Sequence, residues 1–417
     1  MTEPRRAPSW LVGTGVIAIA MAVMNVSTYG FTILAARDLG PQEYGALAAL
    51  MGVLLVVNVV SLGLQATAAR RVAASAPEDR GSVEPDILVA TYKSAVGVGA
   101  LCLIAVPLIS SVLRLDSWLT AALVAATAVP LTIMGGQAGI LQGERRWLPL
   151  ALVYLGVGLG RLGFGLGFLV ATDTAAGAMA GVAIGALVPV AVGAAAVRHP
   201  SRQEQRERHR DVRGSSRRVL RELFHNSHAL LAFFALSNAD VIIARSTLDE
   251  HDAGLYAAGL ILAKAVLFLP QFVVVVAFPS MSGGEDARGR MTLLATGMVV
   301  GMGLACVAGV WVLSGLAVEF VGGSEYAELE PWLWAFAVIG TIWATTQLLV
   351  YGSVARQDRA VVALVWATLV VLLAVTLTRT VTVDRLIVSV IVVEGALLLV
   401  LILNALRFAR RAAPVGG

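Results

Sequence analysis

Among the charged side chains inside apolar runs long enough to cross a membrane, Lys264, Arg161, Glu394 and Asp240 lie farthest from the ends of their runs. Lys264 follows Ala253 by eleven residues, and at about 1.5 Å per residue it lies roughly 16 Å deep, near mid-membrane. Arg161 reaches a similar depth counted from Leu150. Glu394 lies roughly 12 Å in from Leu386 by the same rise. Asp240 follows Ser237 and Asn238 in the outer half of its run. A cation at a helix centre costs about 2.5–3.5 kcal/mol on insertion scales, so each of the two cations needs water or a counter-ion. The chemistry they offer is anion binding, with a planar fork from arginine and a point charge from lysine. Glu394 and Asp240 are ion-coupling candidates, because a buried carboxylate can gain or lose a cation as its surroundings change. Two readings stay open. In one, Lys264 or Arg161 pairs with Glu394 or Asp240 as buried structural ion pairs; in the other, a cationic cavity takes an anionic substrate. The second lysine of the chain, Lys93, is close to a helix start and can snorkel to the interface.

Uncharged polar residues accompany these charges at helical spacing. Asn25 and Tyr29 are one turn apart, and Asn58, Ser61 and Gln65 share one face of the next run. Thr341 with Thr345, and Gln347 with Tyr351, repeat the one-turn spacing. Such stripes either bond neighbouring helices or line water. Lining a cavity makes Asn25, Asn58, Gln65 and Asn238 substrate-binding candidates beside Lys264 and Arg161.

The elements that must hold these residues are membrane helices. Hydrophobic residues make up 58% of the chain, charged residues 14%, and the mean hydropathy is +0.82, far from a soluble balance. With roughly 20 residues per crossing, the runs predict twelve spans. The first six are Trp10–Ala36, Tyr44–Thr67, Ile87–Leu113, Trp118–Leu141, Leu148–Val170 and Ala175–Val197. The second six are Val219–Leu248, Ala253–Phe278, Met291–Leu313, Trp332–Val354, Ala360–Leu377 and Leu386–Leu406. Arg5 and Arg6 imitate the basic leader of a signal peptide, but the apolar run behind them is about twice a signal core, which predicts an uncleaved first helix.

Arginine placement sets the expected topology. With both termini cytoplasmic, the inside segments hold 23 of the 31 basic residues, nine of them between Arg198 and Arg221. The outside loops keep Arg37, Arg114, Arg379 and Arg385, and carry Asp38, Glu43, Asp116, Asp173, Asp249, Glu250, Asp252 and the Glu319–Glu330 cluster. That is the positive-inside pattern of a multi-pass plasma (inner) membrane protein. Insertion thus accounts for the net charge of +4 without a nucleic-acid partner. The Arg198–Arg221 run reads as a solvated linker able to touch anionic headgroups.

The same linker divides the chain. The expected organisation is an N-terminal six-helix bundle over residues 1–198, a basic cytoplasmic linker over 199–218 and a C-terminal six-helix bundle over 219–417. An even number of crossings per half puts the halves in parallel orientation. A repeated segment agrees: Leu39, Glu43, Gly45 and Ala48-Ala49 align without gaps on Leu248, Asp252, Gly254 and Ala257-Ala258. Glycines in the fifth span (Gly156, Gly158, Gly160, Gly163, Gly165, Gly167) and the sixth (Gly177, Gly181, Gly185) predict close helix packing. Pro107, Pro130, Pro189 and Pro270 should bend their spans.

Other chemistries find no support. Cys102 and Cys306 are single residues in apolar runs, the histidines are scattered, and no Gly-rich phosphate loop ending in Lys-Ser/Thr occurs. The expectation is a non-enzyme with no cofactor and no metal.

The repeated hinge Asp38–Gly45, with Gly63-Leu64-Gln65 and Ala69-Arg70-Arg71 behind it, resembles the polysaccharide transporter (Wzx-type flippase) family. Asn238-Ala239-Asp240, Gly254-Leu255-Tyr256, Phe268-Leu269-Pro270 and Phe278-Pro279 add to the likeness. That family belongs to the multidrug, oligosaccharidyl-lipid and polysaccharide exporter superfamily. The resemblance implies an all-α fold of two six-helix bundles around a central cavity. It also implies a flippase that moves a polyprenyl-diphosphate-linked oligosaccharide between leaflets by alternating access. Partners would be that lipid, the bilayer, a proton or sodium ion, and a glycan polymerase or glycosyltransferase. A cation-coupled drug or metabolite exporter and a non-transporting scaffold of a glycan assembly complex are the alternatives.

Overall fold

The structure, a computed structural model, describes residues 9–76, 80–197, 215–268, 285–355, 359–377 and 382–412. Among them all regular structure is helical. The first half holds α1 Ser9–Val57, α2 Val59–Ala74, α3 Arg80–Ile104, α4 Val106–Val112, α5 Trp118–Gly143, α6 Trp147–Thr172, α7 Ala175–Gly185 and α8 Leu187–Val197. The second half holds α9 Ser215–Thr247, α10 Glu250–Phe268, α11 Glu285–Val312 and α12 Ser314–Val321. A 3₁₀ helix at Ser324–Trp332 follows, then α13 Leu333–Ala355, α14 Arg359–Leu377 and α15 Val383–Ala412. The all-α membrane fold expected from composition is therefore present.

Among the described residues, eleven helical stretches are long and apolar enough to cross a membrane. The first, Gly15–Ala74, has 60 residues, or about 90 Å at 1.5 Å per residue against a hydrocarbon core of about 30 Å. It has room for two crossings, which is compatible with the expected twelve. The break within it is a single residue. Gly40 takes φ 65° and ψ 176°, a left-handed φ that only glycine adopts cheaply. Pro41 behind it disfavours a helical Gly40 and lacks the N–H that would continue the ladder. What reads in the sequence as a polar hinge several residues long is thus one bend inside α1.

Two other prolines act as expected. The third span is interrupted at Ala105, with Pro107 opening α4, and the sixth at Ala186, with Pro189 in the first turn of α8. Helix α5 runs through Pro130 without interruption. Pro270 lies outside the described residues, as does 199–214 of the expected linker.

The chain forms two compact units. Unit 1 contains Met1–Asp38 and Val53–Ser227, and unit 2 contains Leu39–Gly52 and His228–Gly417. In unit 1, α5 is packed by α2, α3 and α8, while α6 lies on α7 and α8. Glycine sets the α2–α5 spacing. A Cβ at Gly135, Gly139 or Gly143 would run into the backbone carbonyls of Ser61, Gln65 and Ala69, each pair one turn along from the last. Ser61 Oγ closes the contact by donating to the Leu131 carbonyl at 2.6 Å. Helix α6 uses its glycines on two sides. Gly158 and Gly165 face Met24 and the Phe31 ring of α1, while Gly156 and Gly160 face Pro189 and Gly185. Gly163 and Gly167 have open space instead.

In unit 2, α13 packs on α10, α11 and α15, and α14 lies against α15. Gly340 admits the Ala263 carbonyl, and Gly259 admits the Phe336 ring, which meets Tyr256 edge-on with centroids 5.2 Å apart. The segment that the first half contributes joins this unit through its repeat partner. A Cβ at Gly45 would lie 3.0 Å from the Gly254 nitrogen, and one at Gly254 would overlap the Pro41 carbonyl oxygen. The two glycines aligned by the sequence repeat are therefore in backbone contact.

Candidate functional site

The helices α9, α10, α13 and α15 of unit 2 each place a polar side chain in one buried cluster. Asp240 on α9 is fully buried. Its two oxygens are held separately: Oδ1 accepts from its neighbour's amide, Val241 N, at 2.9 Å, and Oδ2 accepts from the Tyr256 hydroxyl of α10 at 2.9 Å. Fixed donors on both oxygens remove much of the cost of burying a carboxylate. Two residues earlier on α9, Asn238 anchors its amide by donating to the Phe234 carbonyl at 2.9 Å. That leaves its carbonyl oxygen to accept from Lys264 Nζ at 3.3 Å. Lys264 is half-buried and lies within the field of Asp240, so the ammonium meets its counter-charge across Asn238.

Glu394 on α15 is 1% exposed. Its Oε2 accepts from Trp343 Nε1 of α13 at 2.5 Å, while Oε1 has no hydrogen-bond partner among the described residues. The sequence leaves Glu394 open to pair with Lys264 or Arg161. In the structure its electrostatic neighbours are Asp240 and Tyr256, and its direct partner is Trp343. The unit thus brings two acids together and adds one ammonium at the edge. This arrangement keeps two acids in one electrostatic neighbourhood and can present Lys264 to an anion.

Trp343 and Tyr256 were not candidates from sequence. The only available signal was that a buried indole or phenol needs a hydrogen-bond partner, which names no partner.

Unit 1 holds the second cation. Arg161 on α6 is half-buried, with no ion pair or side-chain hydrogen bond among the described residues. It stands beside the α7–α8 break, where its backbone nitrogen would lie 3.1 Å from a Cβ at Gly185. Asn25 on α1 and Asn58 at the α1–α2 junction are half-buried, and Asn58 Oδ1 has no hydrogen-bond partner among the described residues. Gln65 is bonded: its Nε2 donates to the Tyr154 hydroxyl at 2.7 Å and to Gln142 Oε1 at 3.0 Å. Lys264, Asn238, Asp240 and Glu394 therefore share one cluster, while Arg161, Asn25, Asn58 and Gln65 belong to the other unit.

A family model described as "Polysaccharide biosynthesis protein" matches residues 11–285 of the chain. No curated protein matches in sequence. Solved structures match over nearly the whole length. An inward-facing multidrug resistance MATE family transporter of the MOP superfamily aligns with TM-score 0.72 at 14% identity, covering 95% of this chain and 96% of that one. The lipid II flippase MurJ, in an inward closed conformation, aligns with TM-score 0.72 at 11% identity, covering 95% and 90%. A MOP superfamily transporter from Pyrococcus furiosus, noted for the reversed polarity of its binding pocket, aligns with TM-score 0.57 at 14% identity, covering 96% of each chain. The fold is the one these transporters share.

Proposed function

The chain belongs to the polysaccharide biosynthesis protein family, and from that premise we propose that it is a flippase for a polyprenyl-diphosphate-linked oligosaccharide. It would move the lipid from the inner to the outer leaflet of the plasma membrane by alternating access, feeding cell-surface polysaccharide assembly. The observation that carries this reading is Arg161, a guanidinium in a membrane-spanning helix with no anionic partner among the described residues. A permanently charged fork kept in such a place favours an anionic cargo over a structural pair. Lys264, held by Asn238 and half-buried, supplies a second cation. A diphosphate offers oxygens that a guanidinium or an ammonium can bind. Asn25, Asn58 and Gln65, in the unit of Arg161, would meet the sugars, and the lipid tail would remain in the bilayer. The lipid II flippase of the same fold lends the reading analogy.

The test is flipping of fluorescent lipid-linked sugars in vesicles containing the full chain. The parent should accelerate flipping, and Arg161→Gln or Lys264→Gln should slow it at least about tenfold, the loss of one charge-assisted hydrogen bond. Arg161→Lys should retain part of the activity. Parental rates in both neutral variants would return these residues to a structural role.

One observation favours a second reading. Asp240 and Glu394 are both buried in unit 2, an acidic interior that suits an ion-coupled exporter of drugs or metabolites. Transport of an organic cation by these vesicles, without flipping of the lipid-linked sugar, would select it.

A further inference from the structure

Beside Arg161, Asn58 and Gln65, unit 1 carries two polar side chains that the flippase reading leaves unassigned, Tyr154 and Gln142. Helix α6 sets Tyr154 seven residues before Arg161, which is about 10.5 Å along the axis and on nearly the same face. That face is an interior one. Gly158 and Gly165, on the same side, contact Met24 and Phe31 of α1, while the exposed Leu152 and Leu159 lie on the opposite side. The Tyr154–Arg161 strip has a parallel along α2: Gln65 follows Asn58, at the start of that helix, by seven residues. The two strips are tied at one end, where Gln65 Nε2 donates to Tyr154 OH and to Gln142 Oε1. They reach deeper into the membrane at Arg161 and Asn58, the second with an oxygen that has no hydrogen-bond partner among the described residues.

The tied end differs in chemistry from the deep end. It contains two carboxamides and a phenol, without formal charge, and Gln142 is exposed while Gln65 and Tyr154 are half-buried. It lies beside the arginine-bearing ends of α2 and α5, near Arg70, Arg71 and Arg145. Carboxamides donate and accept at once, as sugar hydroxyls do, and an aromatic ring offers an apolar face to a pyranose. The Gln65 amide is held at two points, so its orientation is fixed before a ligand arrives.

We infer that Gln65, Tyr154 and Gln142 form a saccharide subsite in unit 1, with Tyr154 two turns of α6, about 10.5 Å along its axis, from Arg161, the reach of a diphosphate and its first rings. The inference rests on the flippase reading and deepens it: the diphosphate is held at Arg161, and an uncharged, hydroxyl-rich sugar at the amide–phenol cluster. Polar residues that merely glue helices would be indifferent to the presence of sugar.

Binding to the full chain in lipid nanodiscs tests this with two probes: polyprenyl diphosphate without sugar, and polyprenyl diphosphate bearing a neutral disaccharide. The parent should prefer the glycosylated probe by about tenfold, the worth of one to three neutral hydrogen bonds. Tyr154→Phe and Gln142→Ala should abolish that preference while leaving the sugarless probe bound as before. Gln142→Ala keeps the test informative if Tyr154→Phe disturbs folding, because Gln142 is exposed. A parent without preference, variants that keep it, or variants that weaken both probes equally would each overturn the subsite. Arg161→Gln separates the premise: unaltered binding of the sugarless probe in that variant removes the diphosphate from Arg161, whereas the preference ratio still judges the subsite.

Discussion

Trp343 and Glu394 show what a buried charge demands of its neighbours. The indole N–H fixes Glu394 Oε2 and leaves Oε1 without a hydrogen-bond partner among the described residues. Removing the donor strands a second buried oxygen, which costs about 1–3 kcal/mol. Glu394→Gln keeps an acceptor for the indole and removes the formal charge. Trp343→Phe should therefore lower the melting temperature in detergent, and Glu394→Gln should lower it less or raise it. Thermal unfolding followed by fluorescence of a thiol probe on the native cysteines checks the order, and the reverse order would mean that the indole contact contributes little. The charged residues of this cluster were legible in the sequence because charge inside an apolar run is conspicuous. Their partners were not. Trp343 and Tyr256 look like core residues in a linear reading, and helices α13 and α15 bring Trp343 to an acid 51 positions away.

Glycine carries the contacts between elements, and its effect depends on what each one faces. Gly254 meets the Pro41 carbonyl, whereas Gly163 faces open space. An added methyl at Gly254 must displace a backbone, with a cost of about 1–3 kcal/mol for overpacking. The same methyl at Gly163 only raises helix propensity, by up to about 1 kcal/mol. Gly254→Ala should thus unfold at a lower temperature than the parent, and Gly163→Ala at the same or a higher one. Equal destabilisation by both would show that the glycines act through backbone flexibility and not through close approach. The small-residue spacing of α6 and α7 was readable, and so were the breaks near Pro107 and Pro189. The glycine ladder Gly135–Gly139–Gly143 of α5 has the same spacing, but nothing in the sequence says that it faces the carbonyls of α2. Spacing reveals a smooth face without naming the helix that covers it. The hinge was legible as a place and not as a conformation: its polar residues mark a hinge, and Gly40-Pro41 reduces it to one bend.

At the scale of the molecule, the charge pattern and the buried acids make separate predictions. The arginine distribution expects both termini inside. An impermeant thiol reagent added to intact cells should label Asp249→Cys and Glu325→Cys, each in a variant lacking Cys102 and Cys306, and should leave Arg208→Cys unlabelled. Labelling at Arg208→Cys would invert the topology.

The second prediction concerns energy. A bulky polar headgroup moves in one direction across the membrane only if something drives it or traps it on the far side. Unit 2 offers a device for the first: Asp240 and Glu394 are both buried, Glu394 within the field of Asp240, with one unpartnered oxygen among the described residues. Carboxylates so placed repel each other unless a proton or small cation lies between them. An ion that binds one conformation more tightly than the other shifts the cycle by that difference in affinity. An imposed proton or sodium gradient should therefore accelerate flipping by the parent in vesicles. Asp240→Asn and Glu394→Gln should flip at a rate independent of the gradient, because each removes one of the two repelling charges. The competing account is downhill flipping pulled by polymerisation outside the membrane, with Glu394 serving only as the acceptor of Trp343. It expects a parent indifferent to both gradients and to membrane potential, and that outcome would remove ion coupling from the mechanism while leaving the anion site at Arg161 intact.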